Sequence, residues 1–322
     1  DRAICPMAPD LACYTSERKG MRQTIRSRMV AVLAILCVTQ VSMTNAGATA
    51  GAPTSNIEYY VSVGDSYAAG NQPTAAAWDH KDTNGFAYQV VKLARARGYH
   101  LDLLNFGCGG STTTSVLQQV GCSVDNPGPD ATSYPTQTQG AAASRFISRH
   151  RGHIGLVTVS IGGNDILACE VAAQLLSCAR NVLKVVKHNL TVLLAELRHA
   201  AGPSVPIVGL TYPDIFLGMY VSPPVQKSLA ILSVTEFRNL VNPTLKAAYS
   251  AAGAHFVEVT KATGAYTPFS ETTSYGSYGM IPVAVADVCN FTYYCQVQDV
   301  HPTTLGYTVI ARLIVGTLPK DS

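Results

Sequence analysis

Four short polar segments, scattered along the chain, contain the side chains needed to cleave an ester. Ser66 stands in Gly64-Asp65-Ser66-Tyr67. A serine hydroxyl is a weak nucleophile until a base takes its proton during attack. A base is available in Asp299-Val300-His301-Pro302, where Pro302 stiffens the backbone beside His301 and the imidazole can act first as base and then as acid. Acyl transfer also needs donors aimed at the oxygen that becomes negative. Residues 105–112 (NFGCGGST) supply glycines around Gly110 that can turn backbone N–H groups toward one point. Gly162-Gly163-Asn164-Asp165 supplies the primary amide of Asn164.

Taken singly, each segment has an ordinary structural explanation. A serine in a turn commonly caps the next helix, a Gly-rich stretch is commonly just a turn, and Asn-Asp commonly starts a helix through an Asx turn. Asp165 reads as a cap or a packing carboxylate. The serine motif also lacks the second glycine of a G-x-S-x-G nucleophile elbow. The other histidines, His80, His100, His150, His153, His188, His199 and His255, fall in helices, loops or strand starts, with no comparable setting.

What positions these segments is a regular alternation of strands and helices. Residues 58–65, 100–107, 155–161, 206–212 and 255–259 are short and rich in β-branched or apolar residues, which predicts strands. Residues 85–97, 136–150, 171–201, 228–252 and 303–316 carry helical spacing, with Pro243 expected to kink or break the fourth. Such alternation predicts an α/β fold with a parallel sheet covered on both faces. Sites in these sheets gather at the carboxyl ends of the strands. The serine, glycine and asparagine segments each follow a predicted strand, so all three are expected along one edge.

Taken in order, GDSY, NFGCGGST, GGND and DVHP resemble the four blocks of the SGNH hydrolases, also called GDSL lipases and esterases. The resemblance runs from about Glu58 to Gly316 and is strongest to secreted actinobacterial members. It implies a flavodoxin-like three-layer α/β/α sandwich with a parallel central sheet. It also implies that Ser66 is the nucleophile and an oxyanion donor through its own N–H, that Gly110 is a backbone donor, that Asn164 is a side-chain donor and that His301 is the base. One position departs from the family. Its pattern is D-x-x-H, whereas here Gln298 stands three residues before His301 and Asp299 two before. Either the Asp299 carboxylate orients the ring, or, as in some secreted relatives, a backbone carbonyl does so. The carbonyl of Gln298 is slightly preferred.

Composition fits an exported hydrolase. The chain has 322 residues, 47% hydrophobic and 13% charged, with a net charge of +3. This is enough apolar material for a large core, and there is no basic stripe of the kind a nucleic-acid binder shows. From Met21, three arginines precede a 13-residue apolar run and then small residues at Ala46, Ala48 and Ala50. The run falls short of the roughly 20 residues that span a bilayer, and the layout is that of a secretory signal peptide. Residues 1–20 are therefore expected to be an upstream segment, 21–50 the signal peptide and 51–322 the hydrolase domain. Of nine cysteines, Cys108, Cys122, Cys169, Cys178, Cys289 and Cys295 lie beyond the expected cleavage. An even number in an exported chain reads as disulfides, and clustering favours Cys108–Cys122, Cys169–Cys178 and Cys289–Cys295.

The expected activity is that of a secreted serine carboxylic-ester hydrolase. It needs no metal or organic cofactor, acts on a small-molecule or lipid ester with at most transient contact with lipid surfaces, and works as a monomer. An O-acetyl esterase acting on carbohydrates would use the same machinery in a wetter, aromatic groove. Tyr212, Tyr220, Phe269, Tyr275, Tyr278, Tyr293 and Tyr294 are the aromatic candidates near the site. A non-catalytic binding protein is the reading from a different class, and the intact serine, glycine, asparagine and histidine speak against it.

Overall fold

The computed structural model describes residues 57–73, 83–122, 126–169, 175–223 and 225–319. The expected upstream segment and signal peptide lie outside the described residues. Five strands form one sheet: β1 (Glu58–Gly64), β2 (Leu101–Asn105), β3 (Ile154–Ser160), β4 (Ile207–Leu210) and β5 (His255–Val257), in the order β2-β1-β3-β4-β5. Every neighbouring pair is parallel. Parallel strands need crossovers, and helices supply them on both faces.

The strands read as apolar runs because both their faces are covered. Along β1, Val61 and Val63 enter a core with the helices Gln139–Arg149, Leu175–Ala201 and Asn242–Ala251. Tyr60 enters a second core on the opposite face, against the helices Phe86–Arg95 and Thr304–Thr317. Successive strand side chains point to opposite faces, so one strand feeds both cores. Burying a large apolar side chain contributes roughly 1.5–3 kcal/mol. The central strands, with Val61, Val63, Leu156, Val157 and Val159 at 0% exposure, therefore anchor the molecule.

Pro243 does not break its helix. The chain runs from Lys227–Glu236 through a π-helical turn, Phe237–Val241, into Asn242–Ala251. The N–H of Asn242 reaches back five residues to the carbonyl of Phe237. This wider turn sits where Pro243, which has no N–H to give, would otherwise leave a gap in the α-helical ladder. Several short elements escaped the sequence reading, two of them in the C-terminal third of the chain. One is a small antiparallel pair, Thr272–Ser274 with Met280–Pro282, and the other is the helix Val283–Phe291 behind it. Strands of three residues carry too little periodicity to be seen in a sequence.

The sheet order reverses direction between β1 and β3. In open parallel sheets such a reversal opens a crevice beyond the carboxyl ends of the strands. The turns after β1, β2 and β3 border it, and they contain Ser66, Gly110 and Asn164.

Candidate active site

β1 ends at Gly64 because nothing larger fits there. A Cβ at this position would sit 2.0 Å from the carbonyl oxygen of Ser160. Asp65 then caps the short helix Ser66–Ala69: one carboxylate oxygen accepts from the N–H of Tyr67 at 2.9 Å. The other accepts from the hydroxyl of Tyr212 at 2.5 Å. Ser66 is the first residue of this helix, where a backbone N–H has no acceptor within the helix. Its side chain is buried at 7% exposure. Burial pushes the Asp65 carboxyl up to about 7, against the opposing effect of the hydrogen bonds from Tyr212 and Tyr67.

The turn after β2 is laced to the serine turn. The N–H of Cys108 donates to the carbonyl of Gly64 at 3.0 Å, and the amide of Asn105 donates to the carbonyl of Ala68 at 2.9 Å. Gly110 adopts a left-handed φ of 77° and is exposed. The next residue meets the third segment: Asn164 Nδ2 donates to the carbonyl of Ser111 at 2.8 Å. Asp165 accepts from the N–H of Thr113 at 2.9 Å and from its hydroxyl at 2.7 Å. Asp165 is thus a structural tie between the second and third turns.

His301 is fixed from several sides. Asp299 Oδ1 accepts from both the backbone N–H and ring Nδ1 of His301, at 2.8 Å each. It is therefore the carboxylate of Asp299, not the slightly preferred carbonyl of Gln298, that holds the ring. Gln298 contributes differently: with φ 56° and ψ 29° it turns the chain out of the helix Tyr294–Val297. Asp299 can then bond its own backbone two residues on, as in an Asx turn. A carboxylate only accepts, so Nδ1 carries the proton and Nε2 the lone pair of the neutral ring. Burial raises the Asp299 carboxyl, but the hydrogen bonds and charge of His301 prevail and hold it below its ordinary value.

The backbone on either side of His301 is tied to the serine segment. Tyr67 donates its hydroxyl to the carbonyl of Val300 at 2.7 Å, and Gln72 Nε2 donates to the carbonyl of Pro302 at 2.9 Å. The rings of Tyr67 and His301 lie 6.0 Å apart. Beneath them the N–H of Tyr293 donates to the carbonyl of His301 at 3.0 Å, and that of Thr303 to Phe291 at 2.9 Å. Bonds join Cys108–Cys122, Cys169–Cys178 and Cys289–Cys295. Each bond staples chain close to one of the three segments that hold Gly110, Asn164 and His301.

Ser66 and Asn164 line the same cleft. Its walls are mainly apolar: Ile166, Leu167, Pro213, Ile215, Phe216 and Phe237, with Tyr212 and Val300. Of the seven aromatic candidates, only Tyr212 lines this cleft among the described residues. Tyr220 and Phe269 pack together elsewhere at 6.0 Å, and Tyr275 stacks on Tyr278. Ile166, Ile215, Phe216 and Phe237 escaped the sequence reading, since each looks like a plain core residue. Among the described residues, no group of three or more His, Cys, Asp or Glu side chains is placed to hold a metal ion. The arrangement thus offers a hydroxyl in an apolar cleft, an amide donor beside it and, on the adjoining segment, an imidazole of set tautomer.

Comparison with known proteins agrees with this architecture. Residues 62–309 match the GDSL-like Lipase/Acylhydrolase family. The fold is similar to that of phospholipase A1 from Streptomyces albidoflavus, with 15% identity, 81% of this chain and 99% of that chain covered, and a TM-score of 0.50. An extracellular lipase from Streptomyces rimosus aligns at 14% identity over 81% of this chain and 100% of its own, with a TM-score of 0.49. No curated protein sequence matches the chain. At 15% identity, what is shared with the phospholipase A1 is the fold.

Proposed function

The chain belongs to the GDSL-like lipase/acylhydrolase family, and from that premise we propose that it is a secreted serine carboxylic-ester hydrolase acting through an acyl-enzyme on Ser66. The observation that carries this reading is the shared apolar cleft of Ser66 and Asn164, bordered by a segment on which Asp299 sets the tautomer of His301.

In this mechanism His301 Nε2 takes the proton of Ser66 Oγ as Oγ attacks the ester carbonyl. The carbonyl oxygen becomes negative and is held by the N–H groups of Ser66 and Gly110 and by Asn164. A primary amide has two N–H groups, so the anchor to Ser111 is compatible with a second donation toward the oxyanion. His301 returns the proton to the leaving alcohol, the C–O bond breaks and the acyl group stays on Ser66. Water, deprotonated by His301, attacks the acyl-enzyme; the acid departs and Ser66 regains its proton. Asp299 stays ionised throughout and stabilises the imidazolium.

The apolar walls favour an ester with an aliphatic acyl group over an acetylated sugar, whose site would call for convergent polar groups. Export is supported by the three disulfides, which persist in oxidising compartments, and by the signal-like segment at 21–50. The test is Ser66→Ala, expected to abolish hydrolysis of a p-nitrophenyl ester and labelling by a fluorophosphonate while leaving the circular dichroism spectrum unchanged. Turnover retained by that variant would exclude Ser66 as the nucleophile.

A further inference from the structure

Tyr212 belongs to none of the four polar segments, yet its side chain touches two of them. It stands just beyond β4 and is buried. Its backbone is fixed, with the carbonyl accepting from the hydroxyl of Thr260 at 2.6 Å. Its hydroxyl donates to Asp65 Oδ2 in the serine segment. Burial and the Asp65 carboxylate hold the phenol well above its ordinary value, so it keeps its proton and remains a donor. Its ring packs on the asparagine segment: a Cβ at Gly163, next to Asn164, would stand 2.9 Å from two ring carbons. The ring also meets Tyr67 edge-on, with centroids 5.0 Å apart, and Tyr67 donates to Val300 beside His301.

We propose that Tyr212 is a positioning residue for ester hydrolysis: its hydroxyl holds the Asp65 carboxylate in the capping pose and so keeps it off the N–H and hydroxyl of Ser66. The inference rests on the esterase reading above. One oxygen of Asp65 is met by the N–H of Tyr67, within the serine segment, and the other by the Tyr212 hydroxyl, from 147 residues away. Burial raises the Asp65 carboxyl, and the Tyr212 hydroxyl is the strongest of the effects that oppose it. A buried oxygen stripped of its donor costs more than the lost bond was worth. Such a carboxyl either draws on other donors or takes up a proton that itself needs an acceptor. Its chain neighbour Ser66 begins the helix, where an N–H is free of helical bonding. That N–H and the hydroxyl beside it are the groups the reaction needs. A carboxylate drawn onto them would place a negative charge where the transition state develops its own.

The test is kcat and KM for p-nitrophenyl butyrate, with kcat taken per site titrated by a fluorophosphonate so that unfolded protein does not count. Tyr212→Phe keeps the ring and removes the hydroxyl. Its kcat is expected to fall about 10- to 100-fold, the scale of a small misplacement of reacting groups, with KM within about twofold. Asp65→Ser keeps a helix cap and removes the carboxyl that Tyr212 restrains. Added to Tyr212→Phe, it is expected to bring kcat back to within about tenfold of the unaltered protein, since replacing both partners of a buried bond costs less than replacing one. A residue that only supports the fold gives no such rescue, because the second change adds to the first. If Tyr212→Phe does not fold, the double variant decides alone, and a kcat more than about tenfold down overturns the inference. A kcat for Tyr212→Phe within twofold of the unaltered protein, or a double variant no better than Tyr212→Phe, also overturns it and leaves the esterase reading intact. If the unaltered protein neither hydrolyses any ester nor labels at Ser66, the esterase reading fails and this inference falls with it.

Discussion

Asp299 Oδ1 receives two hydrogen bonds from a single residue, the backbone N–H and the ring Nδ1–H of His301, both at 2.8 Å. A spacing of two residues rather than three therefore does the orienting here. It works through the habit of aspartate to bond the backbone two positions on, with the same oxygen then within reach of the ring. The left-handed Gln298 delivers the chain into this geometry, so the departure from D-x-x-H keeps a carboxylate behind the histidine.

Asp299→Asn is expected to lower kcat for a p-nitrophenyl ester by about 10- to 100-fold, the loss of one charge-assisted hydrogen bond worth about 1.5–3 kcal/mol. His301→Ala is expected to cost more, since it removes the base itself. Steady-state kinetics of both variants settle the order. A kcat for Asp299→Asn within twofold of the unaltered protein would leave Asp299 a structural turn residue only.

Asn164→Ala is expected to cost on the order of 100- to 1,000-fold in kcat with little change in KM, the pattern for a donor that acts on the oxyanion. Because Asn164 also ties down Ser111, the melting temperature must be measured alongside. A loss confined to stability, with kcat retained, would make the residue an anchor and nothing more.

The stability of the fold should fall as pH rises from about 4 to about 7. Burial pushes the Asp65 and Asp214 carboxyls from 3.8 up to about 7. In that window the folded chain holds more protons than the unfolded chain. Each such group contributes a slope of about 1.4 kcal/mol per pH unit at mid-window. Asp299 has the opposite sign: its carboxyl is held below the ordinary value, so its contribution is present above that value and is lost as pH falls through the folded one. Denaturant titrations at pH values across the window measure the slope. Asp214→Asn, which retains an oxygen for Ser233 to donate to, should roughly halve it, and an unaltered slope would contradict the assignment.

Replacing Cys289 and Cys295 together by alanine is expected to destabilise the fold by about 2–3 kcal/mol. It should also lower kcat, because the loop they close underlies the strand-like bonds of Phe291 and Tyr293 to Thr303 and His301. Calorimetry and ester kinetics read the two effects. A melting shift with unchanged kcat would show that the histidine loop holds itself in place.

The amino-acid sequence by itself determined the five strands of the main sheet and the longer helices that alternate with them, because β-branched runs, helical spacing and Gly-rich ends are local signals. It determined that Ser66, Gly110 and Asn164 follow strands, and hence that they share one edge of a parallel sheet. It also placed the cysteines in close couples. Only the tertiary structure decided which strands are neighbours, and so where the order reverses to open the crevice. Only it set Asp299 against His301, since that depends on the backbone conformation of Gln298. It alone assembled the cleft from Ile166, Ile215, Phe216 and Phe237 and brought Tyr212 to the Asp65 carboxylate across 147 residues. The physical reason is that periodicity records which face of an element is buried. What that face is buried against depends on packing between elements far apart in the chain.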